Sequence, residues 1–348
     1  MKTNPKHLLV IRLSAMGDVA MTVPVLQAFL NQHPKVKVTV LTRAFFAPFF
    51  EHLPSVTVVT PDLKERHKGA IGLYRLYQEL RPLQFDAVAD LHNVLRSKIL
   101  RKYFALGGIP AVKLDKGRSE KKELVKADPN KTLKNLKSMH ERYADVFRSL
   151  GFTLDFSQTY SVPKLAIPQL KFTINSDKPI IGIAPFAAYE SKSLPVPVLK
   201  RLLHVLNANV AGTIVLFGGG TEEKIILDGI AKGFDNVHSA VGIMTFKEEL
   251  ALISNLSLML AMDSGNGHLA AMYGVPVITI WGLTHPCLGF APFRQEEELQ
   301  FTPNLDEYPL IPTSVYGKDY PANYLNCFNS ISLNSIVQKV SELTAKKA

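Results

Sequence analysis

The segment "AMDSGNGHLAAMYGVPVITIWG", residues 261–282, interrupts an apolar run with residues that suit an anion-binding turn. The polar and glycine residues of this turn are Asp263, Ser264, Gly265, Gly267 and His268. Glycines let a backbone approach a ligand closely, and the free N–H groups at the start of a helix attract phosphate. A plain helix cap at Ser264 with a packed His268 is the alternative. The pattern favours a phosphate-binding turn.

The same letters also fit a dinucleotide fingerprint. Residues 265–270 satisfy G-x-G-x-x-A after a predicted strand. That fingerprint requires an acidic residue about 20 positions further on, at the end of the next strand. No acidic residue lies between Asp263 and Glu296. The sequence therefore disfavours a nicotinamide cofactor.

A second junction between a strand and a helix carries a carboxylate. In "RLSAMGDVAMTVPVL", residues 12–26, Gly17 serves the turn and Asp18 lies where a helix begins. An acidic residue at this position is a common helix cap. It is also placed to act as a general base. Asp18 is therefore a catalytic candidate, with helix capping as the alternative.

The second half of the chain offers a lysine and two acids. Ser191 and Lys192 lie in a loop after a predicted strand, where an ammonium could neutralise a diphosphate or simply be exposed to solvent. Glu222 and Glu223 follow the glycine-rich "LFGGG", where a carboxylate could bind ribose hydroxyls or simply start a helix. This glycine run lacks the G-K-[ST] ending of a Walker NTPase. The chain also lacks a D-x-D pair, a tight His/Asp/Glu cluster and a G-x-S-x-G elbow, so neither a metal site nor a hydrolase nucleophile is predicted.

The elements around these residues alternate between strands and helices. The first series runs from the strand "HLLVIRL" to the helix "HERYADVFRSLGF", and a second series begins at the strand "PIIGIAPF". Residues 160–179 hold three prolines and no helical period, which indicates a linker. Alternation of this kind predicts parallel sheets in two doubly wound domains. Ligands are then expected at the carboxyl ends of the strands, in a cleft between the domains.

Charge and composition narrow the function classes. The net charge of +10 divides into +13 over residues 1–170 and −3 over residues 171–348, with the excess concentrated in residues 96–137. Such a basic segment indicates an anionic partner (nucleic acid, a membrane surface or a phosphorylated substrate) or a solvated flexible loop. No apolar run approaches the ~18 residues of a membrane span, and the short apolar run near the N-terminus does not predict a signal sequence. The two cysteines, Cys287 and Cys327, are predicted to be free thiols.

Taken together, these motifs resemble glycosyltransferase family 9, the ADP-heptose:lipopolysaccharide heptosyltransferases. The resemblance rests on "IRLSAMGDVAMTVPVL", "FDAVADLHNVLRS", "FGGGTEE", "MDSGNGHLAAMYGVPVITIWGLTHP" and "CFNSISLNSIVQKV". It implies an α/β chain with the GT-B fold, two Rossmann-like doubly wound domains facing a central cleft. The expected domains are 1–165 for the acceptor and 166–330 for the nucleotide-sugar donor, followed by a C-terminal helix over 331–348.

The resemblance also implies roles for individual residues. Asp18 matches the base that deprotonates the acceptor hydroxyl, and Lys192 matches the lysine on the donor diphosphate. Asp263 matches the acid near the donor sugar. The remaining donor-binding residues expected are Ser191, Glu222 or Glu223, Ser264, Gly265, Gly267 and His268. Acceptor binding is expected to involve Arg66, Asn93 and Arg96.

The implied reaction inverts the sugar and needs neither metal nor cofactor. It moves a sugar, heptose in this family, from an ADP donor to an anionic lipopolysaccharide core-type acceptor at the inner membrane. The implied location is cytoplasmic, with or without peripheral membrane contact, and no nucleic-acid partner is expected.

Two stretches depart from the family pattern. Lys192 is followed by Ser193-Leu194-Pro195 in place of x-Trp-Pro, and an insertion spans residues 287–327. These departures leave the donor sugar open. A sugar-nucleotide epimerase of the same architecture and a non-catalytic nucleic-acid binder are the alternatives.

Overall fold

The structure, a computed structural model, describes residues 5–158, 162–175 and 177–345. The chain forms two compact units. The first unit comprises Met1–Gly117 and Met139–Ser161, and the second comprises Arg118–Ser138 and Val162–Ala348. Helices and strands are numbered below along the whole chain.

The first unit is built on one five-stranded parallel sheet. Its strands are β1 (His7–Ile11), β2 (Lys37–Leu41), β3 (Val56–Val59), β4 (Ala87–Asp90) and β5 (Ala111–Lys113). Its helices are α1 (Met16–Ala20), α2 (Thr22–Gln32), α3 (Gly69–Leu80), α4 (Leu95–Leu106) and α6 (Met139–Ser149). The strand order is β3-β2-β1-β4-β5, so the order reverses between β1 and β4.

Burial on both sheet faces explains the composition of these strands. Residues 8–11 of β1 are fully buried, as expected for a parallel sheet covered by helices on both sides. The helices α3 and α4 pack together over the sheet through Leu73, Leu76, Leu100 and Phe104. These helices cover the sheet and leave the carboxyl ends of β1 and β4 for the loops that carry polar residues.

The second unit contains a six-stranded parallel sheet. Its strands are β6 (Ile180–Ala184), β7 (Thr213–Leu216), β8 (Val237–Ser239), β9 (Leu258–Met262), β10 (Val277–Ile280) and β11 (Gln300–Phe301). Its helices are α5 (Arg118–Leu124), α7 (Val196–Asn209), α8 (Gly220–Ala231), α9 (Phe246–Ser254), α10 (Gly265–Met272) and α11 (Leu333–Ala345). The order β11-β10-β9-β6-β7-β8 reverses between β6 and β9.

The division of the chain differs from the predicted 165/166 boundary mainly over residues 118–138. This stretch, predicted in the first domain, lies in the second unit. Leu136 N donates to Cys287 O at 2.9 Å, and Leu124 packs with Cys287 and Leu288. The basic segment 96–137 is also not a simple loop, because it contains most of α4 together with β5 and α5.

The predicted linker and C-terminal helix are described only in part. Within the linker 160–179, residues 160, 161 and 176 lie outside the described residues, and residues 162–175 form neither helix nor strand. Of the helix predicted over 331–348, α11 accounts for Leu333–Ala345, and residues 346–348 lie outside the described residues. Helix α11 packs on the hydrophobic core of the second unit through Ile336, Val337 and Val340.

The two cysteines are free thiols, as predicted, and both are buried. Of the helices in the described part of the chain, none combines the length and apolar character that a bilayer span requires.

Candidate functional site

The first unit places a charged pair at the point where its strand order reverses. Arg12 follows β1 directly and Asp18 lies in α1, and their side chains form an ion pair with Nη2 and Oδ2 2.6 Å apart. The Arg12 side chain is only 4% exposed, whereas that of Asp18 is 32% exposed. Arg12 Nη1 also donates to Leu91 O at 2.6 Å. The buried guanidinium therefore holds a carboxylate that remains open to solvent.

Asp18 has one carboxylate oxygen in use. Its Oδ2 accepts from Arg12 and, at 3.3 Å, from the backbone N–H of Ala15. Its Oδ1 has no hydrogen-bond partner among the residues that the structure describes. A strand end, a short turn and a helix start produce this arrangement locally, within seven residues. The free oxygen is the one that can accept a proton from a ligand hydroxyl.

A histidine from the loop after β4 lies beside this pair. His92 is buried, and its Nε2 is 3.5 Å from Ser14 Oγ. Burial first, and then the neighbouring charge of Arg12, lower the pKa of His92 to about 3, with further lowering from Lys116 and Arg43. The imidazole is thus neutral at neutral pH and lies among three cationic side chains.

Buried Asp90 shapes the loop that carries His92. Asp90 Oδ1 accepts the backbone N–H groups of His92 at 3.1 Å and Asn93 at 2.8 Å, and Arg101 lies 3.7 Å from its other oxygen. Because both N–H groups bind one carboxylate oxygen, the chain turns sharply after β4 and Asn93 adopts a φ of 46°.

The three predicted acceptor-binding residues have different surroundings. Asn93 Nδ2 donates to Leu114 O at 2.8 Å, and its buried Oδ1 has no hydrogen-bond partner among the described residues. Arg96 is exposed in the first turn of α4. Arg66 lies after β3, where it is exposed and paired with Glu79 Oε1 at 2.6 Å. Asn93 therefore lies in the same loop as His92, whereas the guanidinium of Arg66 is paired with Glu79.

The second unit also places a charged pair at its strand-order reversal. Lys192 comes from the loop after β6 and Asp263 follows β9, with Nζ and Oδ2 2.8 Å apart. Thr284, from the loop after β10, donates to the same carboxylate oxygen at 2.8 Å. Both members of the pair are largely buried, with side chains 16% and 9% exposed. Three strand ends thus converge on one carboxylate.

The turn after Asp263 starts helix α10. Ser264 occupies the N-cap position, yet its side chain makes no capping hydrogen bond. Its Oγ is buried without a partner among the described residues. Gly265 begins the helix, and buried His268 lies in its first turn. The capping alternative is therefore not realised at Ser264, and the hydroxyl remains available to a ligand at the positive end of the helix.

Gly267 packs against neighbouring side chains of the second unit. A Cβ added at this position would lie 3.4–3.5 Å from Ala261, Val277 and Pro292, which is ordinary van der Waals contact. Gly267 thus faces the sheet, and a small side chain would fit.

Ser191 supports the position of Lys192. Its buried Oγ donates to Gly317 O, and its carbonyl accepts from Leu283 N at 3.0 Å. Gly317 has a φ of 78°, and an added Cβ would lie 2.9 Å from Lys192 Cγ. Ser191 is therefore tied to the protein, whereas the ammonium of Lys192 reaches Asp263.

The two candidate ribose-binding acids are distinguished by their contacts. Glu223 Oε2 accepts the backbone N–H of Gly219 at 2.7 Å, which caps the start of α8. Glu222 is exposed in the same first turn. Of the two, Glu222 has the carboxylate that is free to meet a ligand beyond the end of β7.

Over the described ranges, no group of three or more His, Cys, Asp or Glu side chains could hold a metal ion. The second unit instead supplies an ammonium, a hydroxyl and a helix N-terminus, all of which favour an anion. The first unit supplies an accessible carboxylate.

Comparison with known proteins decides the family. Residues 73–299 match the model of glycosyltransferase family 9 (heptosyltransferase). The chain belongs to this family. The matched residues include Lys192 and Asp263 but not Asp18. The chain is therefore a glycosyltransferase, as its motifs predicted.

Relatives and solved structures agree with this assignment. The chain is 26% identical over 302 residues to the lipopolysaccharide core heptosyltransferase OpsX of Haemophilus influenzae, covering 83% of this chain and 82% of the relative. A family 9 glycosyltransferase from Veillonella parvula superposes with a TM-score of 0.72 at 18% identity and 99% coverage of both chains. The Escherichia coli heptosyltransferase WaaC with ADP gives a TM-score of 0.66 at 19% identity, covering 97% and 99%. The predicted GT-B fold class is confirmed.

The motifs did not identify four residues that complete these centres. They are Arg12, His92, Thr284 and Gly317. Arg12 carried a signal, because a charged residue directly after a buried strand needs a partner. The roles of Thr284 and Gly317 depend on contacts with residues far away in the chain, which no local pattern records.

Proposed function

We propose that this chain transfers heptose from an ADP-linked donor to a lipopolysaccharide core-type acceptor, with inversion and without a metal ion. The second unit binds the donor and the first unit supplies the base. Two observations support the heptosyl and ADP parts: the relative is named as a core heptosyltransferase, and the E. coli structure contains ADP. The glycosyl transfer itself follows from the family.

The observation that carries the donor assignment is the Lys192–Asp263 pair. A diphosphate leaving group develops negative charge as its bond to the sugar breaks, and a positioned cation stabilises that charge. Lys192 supplies the cation, while Ser264 Oγ and the N–H groups that begin α10 supply hydrogen bonds. Charge neutralisation by the protein takes the place of a divalent ion.

Asp18 activates the acceptor in this proposal. Its Oδ1 takes the proton of the acceptor hydroxyl as that oxygen bonds to the anomeric carbon. The bond from this carbon to the diphosphate oxygen breaks, and ADP leaves with the electron pair. Attack from the face opposite the leaving group inverts the configuration in a single displacement. Arg12 holds the Oδ2 side of the carboxylate, so the other oxygen faces the substrate.

The proposed acceptor is an anionic glycolipid at the cytoplasmic surface of the inner membrane. The first unit, residues 1–117 and 139–161, holds 19 Lys and Arg against 11 Asp and Glu, and this excess of positive charge supports an anionic partner there. Asn93 and Arg96 are the proposed acceptor contacts, together with Arg66 if it exchanges Glu79 for the ligand. A nucleic-acid partner is not part of the proposal.

A transfer assay tests the proposal. Purified protein is incubated with ADP-heptose, with and without lipopolysaccharide core acceptor, and in parallel with EDTA. We expect ADP release only when acceptor is present, a product of inverted anomeric configuration, and the same turnover in EDTA. ADP-heptose consumption without acceptor would support the epimerase alternative, and a strict Mg²⁺ requirement would overturn the metal-free mechanism.

A further inference from the structure

Residues 118–138, here called the strap, contact the rest of the second unit at Cys287 and Leu288 and at Leu310 and Pro312. The ammonium of Lys131, within the strap, donates to three backbone carbonyls: Lys126 O at 3.2 Å, Leu310 O at 2.8 Å and Pro312 O at 2.8 Å. All three protons of the ammonium are used in this way. Burial lowers the pKa of Lys131 from its ordinary value. A lysine exposed to water needs no protein partners for its ammonium. Because the ammonium of Lys131 binds the carbonyls of Leu310 and Pro312, it holds the loop that contains these two residues in place.

The loop that Lys131 fixes, residues 310–317, belongs to the family-atypical insertion. Its inner side is tied to the donor centre. Thr313 N donates to Leu283 O at 3.0 Å, and Leu283 N donates in turn to Ser191 O at 3.0 Å. At the end of the loop, Gly317 O accepts from Ser191 Oγ. Two separate connections therefore join this loop to the residue that precedes Lys192.

The loop also bounds the Lys192 side chain directly. The position of a Cβ on Gly317 lies 2.9 Å from Lys192 Cγ and 3.0 Å from Lys192 Cδ, so the aliphatic stem of the lysine runs along the Gly317 backbone. A lysine side chain loses up to about 2 kcal/mol of rotamer freedom when it is fixed. The backbone at Gly317 limits the paths open to the stem and favours the conformation in which Nζ reaches Asp263.

We propose that Lys131 is a positioning residue for the donor site, acting on Lys192 through residues 310–317. This inference rests on the proposed role of Lys192 as the diphosphate ligand. Without the ammonium, the carbonyls of Leu310 and Pro312 lose their shared donor and the loop moves away from Ser191. Lys192 then samples more conformations, and the donor site is less often competent.

The test compares Lys131→Met with Lys134→Met, a matched loss of one charge from an exposed lysine in the same strap. The first measurement is hydrogen exchange on the ligand-free proteins. Lys131→Met should speed amide exchange in residues 310–319 and also at the Ser191–Ser193 and Leu283 amides, and leave α11 unchanged. Lys134→Met should match wild type throughout.

The second measurement is function. In Lys131→Met the Kd for ADP, measured by calorimetry, and the KM for the donor should rise about tenfold, whereas the KM for the acceptor should not change. Lys131→Arg, which keeps a multidentate cation, should recover part of the loss. If Lys131→Met does not fold, Lys131→Gln, with one amide donor group, should show the same pattern at smaller amplitude.

The outcomes separate this inference from the proposed function. Unchanged exchange at the Ser191–Ser193 and Leu283 amides in Lys131→Met would overturn the positioning role, whatever the enzyme binds. Exchange that rises there while ADP affinity and donor KM stay at wild-type values would also overturn it. Failure of wild type and Lys134→Met alike to bind ADP would instead refute the proposed donor, and the exchange data would still decide whether Lys131 positions Lys192.

Discussion

The two units place charged pairs at equivalent points of similar sheets, but with opposite polarity toward solvent. In the first unit the buried member is the cation, Arg12, and the accessible member is the anion, Asp18. In the second unit both members are largely buried, and the cation, Lys192, is slightly more exposed than the anion, Asp263, at 16% against 9%. Each of the two parallel sheets thus places a charged pair where its strand order reverses. The more exposed member of the pair is the charge that a ligand contacts.

This difference fits a division of labour between the units. An accessible carboxylate can accept a proton, whereas an ammonium near a helix N-terminus can bind a diphosphate. The partner charge in each pair holds the accessible group in place and reduces its motion. The comparison predicts that mutations in the first unit affect the rate and that mutations in the second unit affect donor affinity.

The largest expected effect is that of Asp18→Asn. Asparagine still accepts from Arg12 and still starts α1, so the fold should persist. It cannot take a proton from the acceptor, so kcat should fall by about 10²–10⁴-fold. The Kd for ADP should match wild type, because the donor residues lie in the other unit. Steady-state kinetics and calorimetry on one preparation measure both values.

Glu65→Gln, which neutralises an exposed acid in the turn after β3, is the control for Asp18→Asn and should keep full activity. An unchanged kcat in Asp18→Asn would show that Asp18 is only a helix cap, and the catalytic role of the charged pair in the first unit would be refuted.

The next largest effect is expected for Lys192→Met. The substitution removes the ammonium and leaves Asp263 bonded only to Thr284 among its described partners. Truncating one member of a buried charge pair typically costs 2–5 kcal/mol, of which part is lost binding, so the Kd for ADP should rise roughly 10–100-fold. Calorimetric titration with ADP measures this change.

Lys200→Met, on the exposed side of α7, removes the same charge without touching the donor centre and should bind ADP normally. Equal ADP affinity in Lys192→Met and Lys200→Met would show that the ammonium does not meet the diphosphate.

An intermediate effect concerns the pH dependence of His92. The folded-state pKa of His92, about 3, lies below its ordinary value of 6.5. The unfolded chain therefore takes up this proton first as the pH falls, and the native state loses stability between pH 6.5 and pH 3. Relative to His92→Gln, wild type should lose about 2 kcal/mol of unfolding free energy between pH 8 and pH 5.

Urea denaturation of both proteins at pH 8, 6.5 and 5 provides the measurement for His92. Because other titrating groups are common to both, their contributions cancel in the difference. Parallel stability curves down to pH 5 would mean that burial and the neighbouring cations lower the pKa of His92 less than the structure indicates.

The sequence predicted those parts of the sites that depend on neighbouring residues. Asp18 and the turn at Asp263 and Ser264 each follow a buried strand and precede a helix, so strand, turn and helix signals identify them within a few positions. The pairing of Lys192 with Asp263 could not be predicted in this way, because 71 positions separate them along the chain. Only the sheet order brings β6 beside β9.

Three other features of the fold and the candidate site could not be predicted from the sequence, each for a different physical reason. The strands β5, β8 and β11 contain two or three residues each, too few to show a period. Glu222 and Glu223 are equivalent in sequence, and the difference between them arises from a single hydrogen bond to Gly219. The assignment of residues 118–138 to the second unit depends on packing against Cys287 and Leu288. The many lysines of this stretch did not predict that packing.

The smallest expected effect is that of Ser264→Ala. This substitution tests whether the hydroxyl binds the ligand or stabilises the fold. Ser264 Oγ is buried without a partner among the described residues, so its removal should leave the melting temperature unchanged or slightly raised. If the hydroxyl donates to a phosphate oxygen, the Kd for ADP should rise roughly 3–10-fold, which corresponds to a net hydrogen bond of about 0.5–1.5 kcal/mol. Ser341→Ala, which removes a hydroxyl bonded within α11, should leave ADP binding unaffected. A melting temperature several degrees lower with unchanged ADP affinity would make Ser264 a structural residue, and the second centre would then bind its anion through Lys192 and the backbone alone.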